Sequence, residues 1–223
     1  MKHKLLLIFA FILAAKLSHS QIIDRYGINT GLSYSTQIWD DKLVSEESGN
    51  KYKFGFQAFL QAEKDFGSFL ALRTELGYIQ KGFKNNSMEL KFSDGTTAEL
   101  INENAVLHDL ALNIGLKVKP LKSDFSPYLL AGLRGDYMIF NSNIVYREPA
   151  SGMTFNVFEP EFKEFNKFNL GGLIGVGIDI KDLIYFEVEY NPNFTKNLDT
   201  KGLSVKDNCW GAKIGLNINK LIK

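Results

Sequence analysis

Cysteine is almost missing from this chain of 223 residues, where Cys209 is the one thiol. A single sulfur cannot build an intramolecular disulfide framework. A surplus of one charge is missing too: 26 basic and 25 acidic residues leave a formal +1. That balance gives no electrostatic footprint for a nucleic-acid partner. Histidine is scarce, with His3, His19 and His108 alone. No ligand cluster has metal spacing. The GGLIGVG run at Gly171–Gly177 reads as strand glycine, not as a phosphate-cradling fingerprint. Beyond residue 20, no apolar run approaches the roughly twenty residues of a membrane helix. Membrane strands are not excluded, because their alternating residues escape hydropathy windows.

The N-terminus reads as a targeting segment. Met1–Lys4 is a short basic start, Leu5–Ala15 is an apolar run, and Ser18 and Ser20 are small residues before Gln21. This order is expected of a cleaved secretory signal peptide over residues 1–20. The remaining residues, 21–223, suffice for one domain. Cys209 lies far from the signal, which argues against a lipoprotein anchor.

Eight runs of strand-like residues can be read between Ile22 and Asn219. The connections alternate long and short: Gln37–Asn50, Asp65–Gly67, Lys84–Glu103, Pro120–Asp124, Asn141–Glu164, Lys181–Asp182 and Lys196–Lys206. Within Phe69–Gly82, Leu70, Leu72, Thr74, Leu76 and Tyr78 share one parity. Ala71, Arg73, Glu75, Gly77 and Lys81 share the other, as expected of a strand between two environments. Val106–Val118, Ile184–Tyr190 and Cys209–Ile218 alternate likewise. The expected strands are roughly ten to fourteen residues, long for a globular protein and adequate for a tilted membrane strand.

Parity alone does not say which face is inside. A secreted soluble barrel would turn its apolar face inward. Gly27, Gly31, Gly55, Gly77, Gly115, Gly132, Gly171, Gly175, Gly177, Gly211 and Gly215 all lie on the polar parity. A water-exposed face has no steric need for glycine, which weakens a strand. A narrow eight-stranded lumen has that need, because its interior is only just wide enough for side chains. The favoured reading therefore places the polar face inside and the apolar face against lipid. Tyr34, Tyr52, Phe54, Tyr78, Phe168, Tyr190 and Trp210 fall on the apolar parity near the long loops. They suggest one interfacial girdle.

Four stretches resemble a known family. ELGYIQKGF at Glu75–Phe83, SPYLLAGLRGDYMI at Ser126–Ile139, GGLIGVGIDIKDLIYFEVEYNPNFTKN at Gly171–Asn197 and WGAKIGLNI at Trp210–Ile218 are similar to strands of the PorT-like outer-membrane barrels of the Bacteroidota. The chain departs from that pattern in its fourth strand, ALNIGLK at Ala111–Lys117, where the family commonly carries proline. It also ends Leu221, Ile222, Lys223 rather than in an aromatic. The resemblance implies an eight-stranded antiparallel up-and-down transmembrane β-barrel with short periplasmic turns and long extracellular loops. It also implies a link to type IX secretion or gliding.

The lumen expected from these parities holds Arg25, Arg73, Lys117, Arg134 and Lys213 with Glu63, Glu75, Asp109, Asp136, Asp179, Glu187 and Glu189. Buried charges must be paired, so a register-fixing network is expected through Arg73, Glu75, Lys117, Arg134, Glu187, Glu189 and Lys213. Pairing Thr195 with Asp207 would set Glu189 opposite Lys213. A rearranging network would instead offer an ion path. Glu187 and Glu189 share a face and could match a glycosidase pair in separation, but a narrow lumen admits no substrate. His108 falls on the apolar parity beside Asp109, at the level of lipid headgroups. Cys209 is expected to begin the last strand as a buried, inert thiol.

The Asn141–Glu164 loop carries Tyr146, Phe155, Phe158 and Phe162. They could form an exposed anchor set for a partner, or belong to strand extensions above the membrane. Met88, Leu90 and Phe92 alternate within Lys84–Glu103 and would extend a second hairpin. The expectation is a monomeric, non-enzymatic barrel of the bacterial outer membrane, with no cofactor, metal or catalytic residue. Its partners would be outer-membrane lipid and a protein at the extracellular loops. Small-solute channels and a soluble barrel binding an apolar ligand are the alternatives.

Overall fold

The computed structural model describes residues 23–41, 47–84, 90–92, 94–121 and 123–220. The proposed signal peptide and Met88 lie outside the described residues. Eight long strands dominate: β1 (Arg25–Asp41), β3 (Lys53–Phe66), β4 (Leu70–Lys84), β6 (Asn104–Val118), β7 (Phe125–Ser142), β10 (Phe168–Ile180), β11 (Ile184–Pro192) and β13 (Leu203–Asn217). Short strands β2 (Glu47–Gly49) and β12 (Leu198–Asp199) extend the same sheet. Neighbouring long strands pair antiparallel, and β13 pairs back onto β1 from Gly27↔Asn217 to Asp41↔Leu203. That pairing closes the sheet and removes its free edges.

The strands form where the two-residue period is strongest, and each short turn has a local cause. The β10–β11 turn holds Lys181 and Asp182, both at φ 53°. That left-handed pair matches the twist of a tight hairpin. The turn between β3 and β4 uses Gly67 at φ +76°, where a side chain would be strained.

Strand ends differ from the sequence-based limits. Observed lengths run from 9 residues in β11 to 18 in β7. β1 continues through the Gln37–Asp41 stretch assigned to a loop, and β13 begins at Leu203 rather than Cys209. Cys209 is therefore mid-strand, buried on the inner face. The β11–β13 register sets Glu187, not Glu189, opposite Lys213. The two-residue slip arises because β11 ends at Pro192, which pairs with Asn208, before Thr195 can join.

Above the long-loop end lies a cap. β5 (Glu99–Asn102), β8 (Val145–Arg147) and β9 (Thr154–Asn156) make a three-stranded sheet, followed by helix α1 (Glu159–Glu164). Leu90 to Ala98 folds back on itself, with the Ala98 amide donating to the Leu90 carbonyl at 2.8 Å. The outer wall is apolar: Leu32, Leu60, Leu76, Leu112, Ile114, Leu133, Ile174 and Val188 are all exposed. Two aromatic belts border that wall. Tyr34, Phe54, Phe168 and Trp210 form the expected one near the long loops, and Tyr26, Phe66, Phe69 and Phe125 form a second at the short-turn end.

Candidate functional site

The charged side chains of the lumen are ordered in layers. Nearest the short turns, the Arg25 Nε meets Glu63 at 2.8 Å, while Lys119 meets Asp179 at 2.6 Å and Asp182 at 3.1 Å. In the next layer Arg73 bridges two carboxylates, its Nε 2.6 Å from Glu63 and its Nη1 2.6 Å from Glu187. Lys117 reaches Glu63 at 3.1 Å and Asp179 at 2.9 Å. Lys213 gathers Glu75, Glu187 and Glu189 at 3.0, 3.1 and 2.7 Å. Asn29 and Asn113 donate to Glu75, and the Tyr128 hydroxyl donates to Glu187 at 2.7 Å.

Two tyrosines hold these cations from the side. The Arg73 guanidinium carbon is 4.6 Å from the Tyr185 ring centroid and 5.3 Å from that of Tyr128. Lys117 Nζ stands 4.1 Å from the Tyr128 ring. Glycine makes room for both rings. A Cβ on Gly177 would fall on Tyr128, and one on Gly215 would fall on Tyr185. The steric need inferred from glycine on the polar parity thus has a specific object.

A third layer centres on Lys81. Its ammonium lies 2.9 Å from Asp109, 3.1 Å from Asp136 and 2.8 Å from Asp207. Arg134 pairs with Asp136 at 2.7 Å, and Gln37 and Asn197 donate to Asp207. Sequence reasoning placed Arg134 inside but left Lys81 and Asp207 out of the network. Lys81 shares the parity of Arg73 and Glu75, and Asp207 that of Lys213. Both lie outside the loops drawn from sequence and on the inward parity, but neither was carried into the expected network.

One step farther out the inner face changes character. On five strands the next inward residue after a polar one is apolar: Gln37 gives way to Trp39, Lys81 to Phe83, Asp109 to Leu107, Asp136 to Met138 and Asp207 to Val205. These five share one buried cluster with Tyr146, Phe162 and Phe165. Phe158 packs 4.8 Å from Trp39 and 5.6 Å from Phe83, measured between ring centroids. The result is an apolar stopper across the barrel mouth. The switch follows the solvent: next to lipid the wet groups turn inward, and beyond it the dry groups do.

This overturns the reading of the loop aromatics as an exposed anchor set. Tyr146 is 2% exposed and Phe162 4% exposed, and Phe155 and Phe158 pack partly buried against the same cluster. An aromatic ring gains more from an apolar core within reach than from water. Strand extension is not the full account either, since Tyr146 and Phe155 lie in the separate cap sheet.

Other candidates are placed plainly. Glu187 and Glu189 both contact Lys213 and face no cleft. His108 is on the outer side near the rim, its Nδ1 2.5 Å from the Tyr78 hydroxyl and its ring stacked on Phe140 at 3.8 Å. Among the described residues, no group of three or more His, Cys, Asp or Glu side chains is arranged to hold a metal ion. No described helix is long and apolar enough to cross a membrane. A concavity of about 760 Å³ lies on the outer wall, lined by Ile28, Leu60, Leu76 and Leu110, away from every charged layer.

A closed eight-stranded barrel with an apolar exterior and charged interior agrees with the family comparison: the model for the outer membrane protein beta-barrel domain matches residues 20–199. The chain belongs to that family. No curated protein matches the sequence. Among solved structures, OprG from Pseudomonas aeruginosa is similar at 14% identity, covering 86% of this chain and 94% of that one, with TM-score 0.46. Neisserial surface protein A is similar at 14% identity, covering 86% and 96%, with TM-score 0.45. Ail of Yersinia pestis, solved in complex with the heparin analogue sucrose octasulfate, is similar at 11% identity, covering 86% and 97%, with TM-score 0.39.

Proposed function

We propose that this is a non-enzymatic, non-conducting barrel that anchors an ordered extracellular cap, with a structural or protein-interaction role. One observation carries the reading. Between the short-turn end and the cap the lumen is crossed by successive layers of ion-paired side chains centred on Arg73, Lys213 and Lys81, and an apolar stopper closes it beneath the cap. A polar solute would have to break several buried ion pairs at once, each costly to open, and then cross an apolar layer. The cap in turn resembles a small domain core, with rings from the Asn141–Glu164 loop tied to the barrel rim. A folded cap offers a fixed surface, so binding a partner there would carry little ordering cost.

Export by a signal peptide over residues 1–20 belongs to this proposal. So does placement among the PorT-like barrels of the Bacteroidota, which rests on the four strand motifs. A link to type IX secretion or gliding rests on that resemblance alone. Against catalysis, Glu187 and Glu189 are both bound by Lys213, and His108 has Phe140 and the Tyr78 phenol for neighbours.

Planar bilayers test the proposal. Purified protein inserted from detergent should give no unitary current steps under applied voltage, although heat-modifiable gel migration shows it folded. Reproducible steps from the wild-type protein would overturn the sealed-lumen reading and favour a small-solute channel.

A further inference from the structure

Two strands of the barrel wall come apart near the long-loop end. β3 and β4 pair in register from Phe66↔Leu70 up to Gln57↔Ile79. They meet again at Lys51↔Lys84. Between those points Tyr52–Phe56 faces Gln80–Phe83 with no ladder pair, and the β3 side carries one residue more. The other edges of both strands stay bound: β3 pairs with β1 as far as Lys53↔Ser35, and β4 with β6 as far as Lys84↔Asn104. β10 and β11 also separate, but only beside Pro192, which has no amide, and they rejoin at Gly171↔Asn193. No proline accounts for the β3–β4 break.

Main-chain groups that lose a ladder must find other partners, and here side chains supply them. The Phe56 amide donates to Gln80 Oε1 at 3.3 Å, and Gln80 Nε2 donates in turn to the Tyr78 hydroxyl at 3.0 Å. The Phe54 carbonyl accepts from Lys53 Nζ at 3.1 Å. Lys53 is 8% exposed and has no carboxylate within ion-pair distance among the described residues, so this carbonyl is what holds it. The carbonyls of Gln80 and Gly82 accept from the hydroxyls of Ser33 and Ser35, which stand on β1, two strands away. Ser33 reaches past β3 because its register partner is Gly55, where a Cβ would fall on both the Ser33 hydroxyl and the Gln80 carbonyl.

We propose that this seam is a lateral gate: β3 and β4 separate between Gln57/Ile79 and Lys51/Lys84 while the rest of the wall stays closed. Single side-chain hydrogen bonds have a modest net worth, and segments with few main-chain bonds open before the rest of a fold. Lys81 stands on the same stretch of β4 and centres the third charged layer. Phe83, the next inward residue, belongs to the stopper. An open seam therefore leads from the outer wall to the lumen beneath the stopper and bypasses the cap. The ion-paired layers below stay in place. A small molecule with hydrogen-bond acceptors would enter a dead end beside Ser33, Ser35 and Lys53, and no current would flow.

The native thiol reports on the gate. Cys209 is 1% exposed, lies opposite Ser35 and packs with Ile79, the last paired residue below the seam. Folded protein in phosphatidylcholine nanodiscs is treated with methyl methanethiosulfonate, and labelling of Cys209 is followed by mass. Ser33→Ala/Ser35→Ala strips two carbonyls of their partners and should label about tenfold faster than wild type, with heat-modifiable migration unchanged. Phe162→Ala, which loosens the cap, should label at the wild-type rate. In wild type the amides of Phe54–Phe56 and Gln80–Phe83 should exchange with deuterium about tenfold faster than those of Asn208–Trp210, which lie in the unbroken β1–β13 ladder. Unchanged labelling in the serine double variant, equal acceleration in Phe162→Ala, or equal protection of the seam and ladder amides in wild type would each overturn the proposal.

Discussion

Lys81 is where the lumen is least able to absorb a loss. Its ammonium is shared by Asp109, Asp136 and Asp207. Replacing it with methionine keeps much of the volume and removes the charge. Asp136 would retain Arg134, and Asp207 would retain hydrogen bonds from Gln37 and Asn197. Asp109 would keep no cation within ion-pair distance among the described residues. Lys81→Met therefore strands one buried carboxylate beside two others, and removing one partner of a buried pair costs about 3–5 kcal/mol. Arg73→Ala should cost less. Glu63 would keep Arg25 and Lys117, and Glu187 would keep Lys213 and Tyr128. For a chain of this size each kcal/mol moves the unfolding midpoint by roughly 2–4 °C. The Lys81→Met midpoint should then fall by about 6–20 °C, followed as the folded band on unboiled gels across a temperature series. Adding Asp109→Asn removes the stranded charge and should restore part of the loss, with a coupling of about 0.5–3 kcal/mol. Two results would refute the reasoning: a Lys81→Met midpoint within about 2 °C of wild type, or a double variant whose loss is the plain sum of the two single ones.

Gly215→Ala should destabilise the barrel by about 1–3 kcal/mol through overpacking, because the added methyl falls on Tyr185 and must push that ring off Arg73. In a Tyr185→Ala background the same substitution should cost far less, and equal midpoint shifts in both backgrounds would sink the seating argument. Phe162→Ala should weaken the cap by about 3–5 kcal/mol, the usual loss for a buried ring. Limited proteolysis should then cut near Ser151–Gly152 in the variant while heat-modifiable migration stays normal. Loss of the folded band together with the cap would show instead that the two are one cooperative unit.

The barrel was legible because its signal is repetitive. Leu70, Leu72 and Leu76 against Arg73, Glu75 and Gly77 give a period of two, and seven more runs repeat it. Glycine on the polar parity oriented the faces, and the tight Lys181–Asp182 turn lies where the sequence placed it. The ends of the strands were less legible. Trp39 was assigned to a loop because it follows a wall whose inward residues are polar, and an apolar inward residue breaks that pattern. Lys81 and Asp207 lie beside the same boundary; both were outside the loops, yet neither was carried into the expected charge network. The second aromatic belt, at Tyr26, Phe66, Phe69 and Phe125, was on the outward parity throughout and needed only to be counted.

The sequence by itself determined the strand number, the closure, the buried charges and the membrane-facing wall. The strands and their two faces follow from alternation, which is local; the choice of faces rested on glycine, and closure on the family resemblance. Register decided which carboxylate lies directly opposite which ammonium: Glu187, not Glu189, is across from Lys213 because one loop end was misjudged, although Lys213 reaches both. The fate of Tyr146, Phe155, Phe158 and Phe162 depended on what apolar surface lay within reach. That surface is built by Trp39, Phe83, Leu107, Met138 and Val205 from five separate strands. Only folding brings the five together, so only the tertiary structure could turn an apparent contact loop into the stopper of the barrel.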